Sequence, residues 1–560
     1  MDGRRKVRAA KEWKSGAKFA LAAEHLPGFD DPHSMRMMLY RRLRLMAVLV
    51  LAALAATSID GQTSKKKKTK TSSSQSQVKK KSTKSKKKSS KKARRPVAPP
   101  APVIRYTTPR TVESLRADLR FMAARIRSGQ FGIMAVSLTR GDTLFAYNAG
   151  LPLVPASTMK MLTTAVALER LGPTYQFSTD VLYDGTLDFD GTLHGNVYLR
   201  GDGDPSLSGR YLQGGPAAPM NFLADQLATR GIKRITGEVT GDPTAFDDQP
   251  IPEGWQTRYL QSGYAARVSA LSLNENLVWV TIAPGGVRLE PATSAIPLVS
   301  KVRTVAGRRA RLSVRRFGNG SISVSGTIGS RSPPRRYVYV VEDPARFTTG
   351  ALRAALIGKG ITVDGGIRIA RTPSNAVKIA SIQSPTLDRI ISAMNRESIN
   401  HFAELLLRNA ARGPDRSTQG TIGSSRSLLR QFFATRVGAD SSSLQVFDGS
   451  GLSTLDRITS RGMVQMLGYA HRADWGPWFH ASLPVAGESE LLRRRMKGSP
   501  AQGNLHAKTG TTNDVVGLGG YVTAADGEVI AFSFIYNGTD RWTAKSMIDV
   551  MGETLANFAR

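Results

Sequence analysis

The 560 residues contain no cysteine. That excludes structural disulfides, a catalytic thiolate and thiolate-bound zinc. Histidine is scarce: the seven present are scattered, with no His-Glu-x-x-His run and no paired spacing, so neither a metal site nor a cofactor is expected. Acidic residues are missing from Lys65 to Arg95, where sixteen Lys or Arg stand together. Such a block repels itself and has nothing apolar to bury, so it reads as an unfolded tail. Much of the net charge of +36 therefore belongs to a tail and not to a basic fold, and no specific nucleic-acid partner is expected. The tail would meet an anionic wall polymer or membrane surface in a salt-sensitive way. The apolar run Leu45–Ala56 is also short, against about 20 residues for a membrane-spanning helix. With Arg41 to Arg44 before it and small residues after it, the run reads as a secretory signal, which predicts an exported protein of the periplasm or cell envelope.

Hydrophobic residues make up 41%, enough for a large core. The expected organisation is an N-terminal extension (1–34), a signal peptide or signal anchor from Met35 (35–61), and a linker that is Lys/Ser/Thr-rich and then Pro-rich (62–110). Beyond it, TVESLRADLRFMAARI has helical spacing after a Thr cap, and GIMAVSLTRGDTLFAYN alternates as a hairpin around a Gly-Asp turn. Pro155-Ala156-Ser157 opens a helix that Gly172 and Pro173 end. From 177 to 371 short β-like runs alternate with Gly/Asp turns, including the basic run Arg308 to Arg316, read as the solvated face of a strand. Helices resume after Ser384, and VVGLGGYVTA and EVIAFSFIYNG are strand candidates before a terminal helix. The two ends of the folded region, 111–176 and 372–560, are expected to build one body, with 177–371 inserted into it.

Three short motifs carry chemistry. Ser157 and Lys160 lie one helical turn apart on one face. A partly desolvated lysine loses enough basicity to accept a serine proton, and a helix N-terminus favours developing negative charge. Ser398-Ile399-Asn400 offers a hydroxyl to relay a proton and an amide to hold a carbonyl. Lys508-Thr509-Gly510, followed by Thr511, offers a cation and hydroxyls for a carboxylate, and a glycine beside which substrate backbone can lie. Each motif alone is common. The informative feature is all three in this order, at a helix start, a helix loop and a strand edge.

The set resembles the penicillin-binding proteins and serine β-lactamases. About 240 residues separate Ser157 from Ser398. That large insertion resembles the class C low-molecular-mass penicillin-binding proteins, the D-Ala-D-Ala carboxypeptidase/endopeptidase family. LRGDGDPSL, VSALSLNENLVWV, VFDGSGLS and LPVAG are similar to that family, and the resemblance runs from about Thr111 to Arg560. It implies an α/β fold: an antiparallel sheet packed by helices, with two mainly β domains inserted between the first and second motifs. It implies a serine carboxypeptidase acting on peptidoglycan stem peptides and acylated by β-lactams. Ser157 would attack, Lys160 would take its proton and Ser398 would protonate the leaving amine. Asn400 would orient the substrate, Lys508, Thr509 and Thr511 would bind the terminal carboxylate, and the Ser157 and Thr511 N–H groups would form the oxyanion hole. The family's acidic residue for the stem peptide's diamino acid aligns, through Gly254-Trp255, on Tyr259, which leaves that contact and endopeptidase action unassigned. The residues alone leave rivals open: a β-lactamase or other amide or ester hydrolase, a binding module that has lost catalysis, or a polyanion binder working through its tail.

Overall fold

The structure is a computed structural model that describes residues 105–413 and 416–560; the expected extension, signal and most of the linker lie outside them. Among the described residues, no helix is long and apolar enough to cross a membrane.

Five antiparallel strands form the central sheet, in the order Thr143–Tyr147, Gln130–Ser137, Val529–Asn537, Val515–Thr523, His506–Thr511. The expected hairpin therefore pairs with strands almost 400 residues later, and both ends of the folded chain build one sheet. The strand Val529–Asn537 is apolar on both faces because both faces are covered. Ile530, Phe532, Phe534 and Tyr536 point to one side, against the first helix (Val112–Ala124) and the last (Arg541–Ala556). Ala531 and Ile535 point to the other, into a core built by the helices Lys160–Leu171, Asn400–Ala410 and Ser460–Arg472. Thr111 caps the first helix as expected: its hydroxyl accepts from the Ser114 N–H, and the Ser114 hydroxyl accepts from the Thr111 N–H.

The stretch between the first two motifs builds two groups of sheets over one apolar cluster. The first group holds the five-stranded sheet Ile367–Ile369, Val239–Asp242, Val197–Arg200, Ser178–Tyr183, Val377–Gln383, flanked by the helices Ala218–Thr229 and Pro344–Gly358. The second holds two three-stranded sheets, one of them Leu298–Val305, Ile322–Gly329 and Ala310–Arg316. Gly201 to Asp204 is an extended loop leading towards the helix Ala218–Thr229. Asp202 in it pairs with Arg412 and Arg416 beyond the end of the helix Asn400–Ala410.

Candidate active site

Ser157 lies in a single 3-10 turn, Ala156–Met159, that leads into the helix Lys160–Leu171. The turn is packed against the sheet by glycines. A Cβ on Gly451 would come within 1.8 Å of the Ala156 carbonyl oxygen, and one on Gly510 within 2.6 Å of that of Pro155. Gly510 was expected to leave room for substrate; the room it leaves is filled by the nucleophile turn itself.

Lys160 is fully buried, with its Nζ 3.0 Å from Ser157 Oγ. The same nitrogen donates to Asn400 Oδ1 at 2.6 Å and to the Ser450 carbonyl at 2.8 Å. A neutral amine has two N–H donors and one lone pair. With both donors used on Asn400 and Ser450, the lone pair is left for the Ser157 hydroxyl. Burial pushes the amine down to about 7, against the pull of the Asp448 and Glu404 carboxylates.

Ser398 takes a left-handed conformation (φ 59°) that breaks the chain between the helices Leu387–Glu397 and Asn400–Ala410. That bend turns Ser398 towards the edge strand, where Lys508 Nζ lies 3.0 Å from its Oγ, and sends Asn400 towards Lys160. Asn400 is fixed at its other end by donating to the Tyr264 carbonyl at 2.8 Å. Lys508 is fully buried, its amine held well below the ordinary lysine value by desolvation and by the nearby Lys160 charge. It also donates to the Thr509 carbonyl. Lys508 and the buried Thr509 thus sit beneath the surface, whereas Thr511 lines an open cavity of about 370 Å³ together with Ser157, Ser398, Asn400, Tyr259, Tyr264 and Arg541. All eight expected site residues lie in or directly under this cavity, brought together from three separate stretches of the chain.

Sequence reasoning missed what holds Lys160. The stretch Asp448 to Gly451, an Asp-Gly-Ser-Gly sequence that locally resembles any turn, is the lysine's anchor. The buried Asp448 carboxylate accepts from the backbone N–H groups of Ser450, Gly451, Leu452 and Ser453 and from the Trp255 indole, and this wraps the loop so that the Ser450 carbonyl faces Lys160. Glu404 accepts from the Gly449 and Ser450 N–H groups; burial and the neighbouring Asp448 push its carboxyl up to about 7. An acid inside the apolar run Phe402–Leu407 was the available signal. Tyr259 stands at the cavity wall, its ring edge-on to Tyr264 at 5.8 Å. His401, next to Asn400, is buried and bonded to Asn276.

The model of the D-Ala-D-Ala carboxypeptidase 3 (S13) family matches residues 115–558. The D-alanyl-D-alanine carboxypeptidase of Actinomadura sp. (strain R39) is 30% identical over 76% of this chain and 81% of its own length. The D-alanyl-D-alanine carboxypeptidase DacB of Haemophilus influenzae is 25% identical over 73% of this chain and 85% of its own. In fold, the crystal structure of penicillin binding protein 4 (dacB) from Haemophilus influenzae aligns at a TM-score of 0.65, covering 80% of this chain and 98% of that one at 22% identity.

Proposed function

We propose that this chain, which belongs to the D-Ala-D-Ala carboxypeptidase 3 (S13) family, is a serine D-alanyl-D-alanine carboxypeptidase that trims peptidoglycan stem peptides through an acyl-enzyme on Ser157. The observation that carries the mechanism is the buried Lys160 amine, bonded to Asn400 Oδ1 and to the Ser450 carbonyl and 3.0 Å from Ser157 Oγ; in its neutral form both N–H donors are used and the lone pair is left for the serine.

Ser157 Oγ attacks the carbonyl of the penultimate D-Ala, and its proton passes to Lys160 Nζ as the O–C bond forms. The oxyanion is taken by the Ser157 and Thr511 N–H groups. The C–N bond then breaks. The leaving amine receives its proton from the Ser398 hydroxyl, which is resupplied from the now protonated Lys160 by way of Lys508, whose Nζ lies 3.0 Å from Ser398 Oγ. Water attacks the ester carbonyl and gives a proton to Lys160, which returns it to Ser157 Oγ as the ester C–O bond breaks. Asn400 orients the acyl-side carbonyl, Thr511 meets the terminal carboxylate at the cavity wall, and Lys508 and Thr509 support that carboxylate from below. A β-lactam follows the first half of the same path and leaves slowly.

The catalytic body is assigned to 111–176 plus the chain after the insertion. Its return is placed at 384 and not at 372, a boundary supported by the pairing of Val377–Gln383 with Ser178–Tyr183 inside the inserted sheet. Export to the periplasm or cell envelope follows from the signal-like Arg41–Ala56 run and from a wall substrate. The sixteen cations from Lys65 to Arg95 support contact with anionic wall polymer or membrane surface.

The test is mass spectrometry of the protein after exposure to benzylpenicillin, with Ser157→Ala alongside. One adduct per chain on Ser157, absent from the variant, is the expected result. A folded sample that takes no adduct refutes the acyl-enzyme reading.

A further inference from the structure

From Pro291 to Val341 the chain carries ten Lys or Arg and no Asp or Glu. Folding sorts these charges onto one surface. In the sheet Leu298–Val305, Ile322–Gly329, Ala310–Arg316, the central strand pairs in parallel with the first and antiparallel with the third. Successive side chains alternate between faces. On one face Ile322, Val324 and Ile328 are buried in the core, with Leu298, Val302, Leu312 and Val314 packed beside them.

The registers fix the other face. Arg303 and Arg311 both sit opposite Thr327, Lys301 sits opposite Ser325, and Arg315 opposite Ser323. All four cations are exposed, and the three hydroxyl residues between them are half-exposed. Neighbouring strands lie about 4.8 Å apart, so two cationic rows run roughly 10 Å apart with a row of short hydroxyl side chains between them. Elsewhere in the segment Arg316 pairs with Glu342 and Arg336 with Glu290, but among the described residues no acid pairs with Lys301, Arg303, Arg311 or Arg315. Mutual repulsion on an exposed face costs stability, and among the described residues no acid pairs with these four cations to offset it.

We propose that this face docks a linear phosphodiester polymer of the cell envelope, lying along the central hydroxyl row between the two rows of cations. Three of the four charges are arginines, whose planar forks match phosphate oxygens two at a time. Parallel rows suit a repeating anion, whereas a single compact anion needs donors that converge. A membrane surface is the weaker fit: the apolar side chains this face exposes, Val299 and Val305, stand at the two ends of one edge strand, and the middle of the face carries only hydroxyls. The docking is independent of the acyl-enzyme chemistry and would hold the enzyme at the polymer-rich wall while the cavity works.

The test uses the full chain, because the Lys-rich tail binds any polyanion and must be present equally in every arm. Poly(glycerol phosphate) is the probe, and phenylglyoxal modification of arginines, read by peptide mass spectrometry, locates it. At 50 mM salt the polymer should slow modification of Arg303, Arg311 and Arg315 at least fivefold and leave exposed Arg120 unchanged. Replacing all four cations (Lys301→Gln, Arg303→Gln, Arg311→Gln, Arg315→Gln) should weaken polymer binding at least tenfold. It should also reduce the salt slope by about three, since each phosphate contact contributes roughly 0.7–0.9. A thermal midpoint at or above that of the parent, as relief of the repulsion predicts, would show that the variant is folded. Unprotected arginines, or an unchanged slope in the folded variant, would overturn the proposal in favour of the tail. Protection by phosphatidylglycerol vesicles but not by the polymer would overturn it in favour of a membrane.

Discussion

The state of Lys160 makes the sharpest demand on the enzyme. Moving the amine from its ordinary value of 10.5 to about 7 is worth roughly 5 kcal/mol in favour of the neutral form. The sign follows from the chemistry: only the neutral amine can take the Ser157 proton, so acylation must rise with pH and level off above the amine's midpoint. At a midpoint near 7, about half the molecules are competent at pH 7, about a tenth at pH 6 and about a hundredth at pH 5. A lysine left at its ordinary value would be neutral in fewer than about one molecule in a thousand at pH 7. Its acylation rate would still climb tenfold per pH unit at pH 9. The assay is the second-order acylation rate with a chromogenic cephalosporin from pH 5 to pH 9. Glu404 titrates in the same range, so the midpoint belongs to the cluster. The variant Glu404→Gln separates the two. The Glu404 charge holds the Lys160 midpoint up, so removing it should move the plateau to lower pH. A profile without a plateau below pH 9, or a shift to higher pH in Glu404→Gln, would refute the argument.

Two further perturbations probe the scaffold. Gly451→Ala places a methyl 1.8 Å from the Ala156 carbonyl at a φ of +78°, so the nucleophile turn must move; a shift of about 1 Å costs about 100-fold, which acylation kinetics at pH 8 would register. Phe534→Ala empties a fully buried site in the central strand beside Phe532 and should cost about 3–5 kcal/mol, read as a lower urea midpoint while the Ser157 site stays titratable in the folded fraction.

The parts legible in the sequence are those whose signal is local. The Thr111 cap, the Gly-Asp hairpin and the apolar final strands announce themselves within ten residues, and so do the three motifs that meet in the cavity. What was not legible depends on contacts over long separations. Ser450 reaches Lys160 across 290 residues, and a four-residue Asp-Gly-Ser-Gly stretch looks like any turn until the folded chain supplies its partner. Gly510 looked like a concession to substrate because the Pro155 carbonyl that crowds it lies far away in sequence. The pairing of Val377–Gln383 with Ser178–Tyr183 joins strands about 200 residues apart, which no local pattern announces.

The insertion also changes how the site is understood. Motif by motif, the chemistry belongs to elements at the two ends of the folded chain, and the middle could be taken for an appendage. The hydrogen bonds argue otherwise. Trp255, from the inserted stretch, donates its indole N–H to Asp448, and Asp448 shapes the loop whose Ser450 carbonyl occupies one donor of Lys160. Tyr264, from the same stretch, takes one amide N–H of Asn400, leaving the Asn400 oxygen to occupy the other donor. Both hydrogen bonds that direct the Lys160 lone pair to Ser157 are therefore braced by inserted residues. A chain shortened across the insertion would keep every motif and still free Lys160 to turn away from its serine.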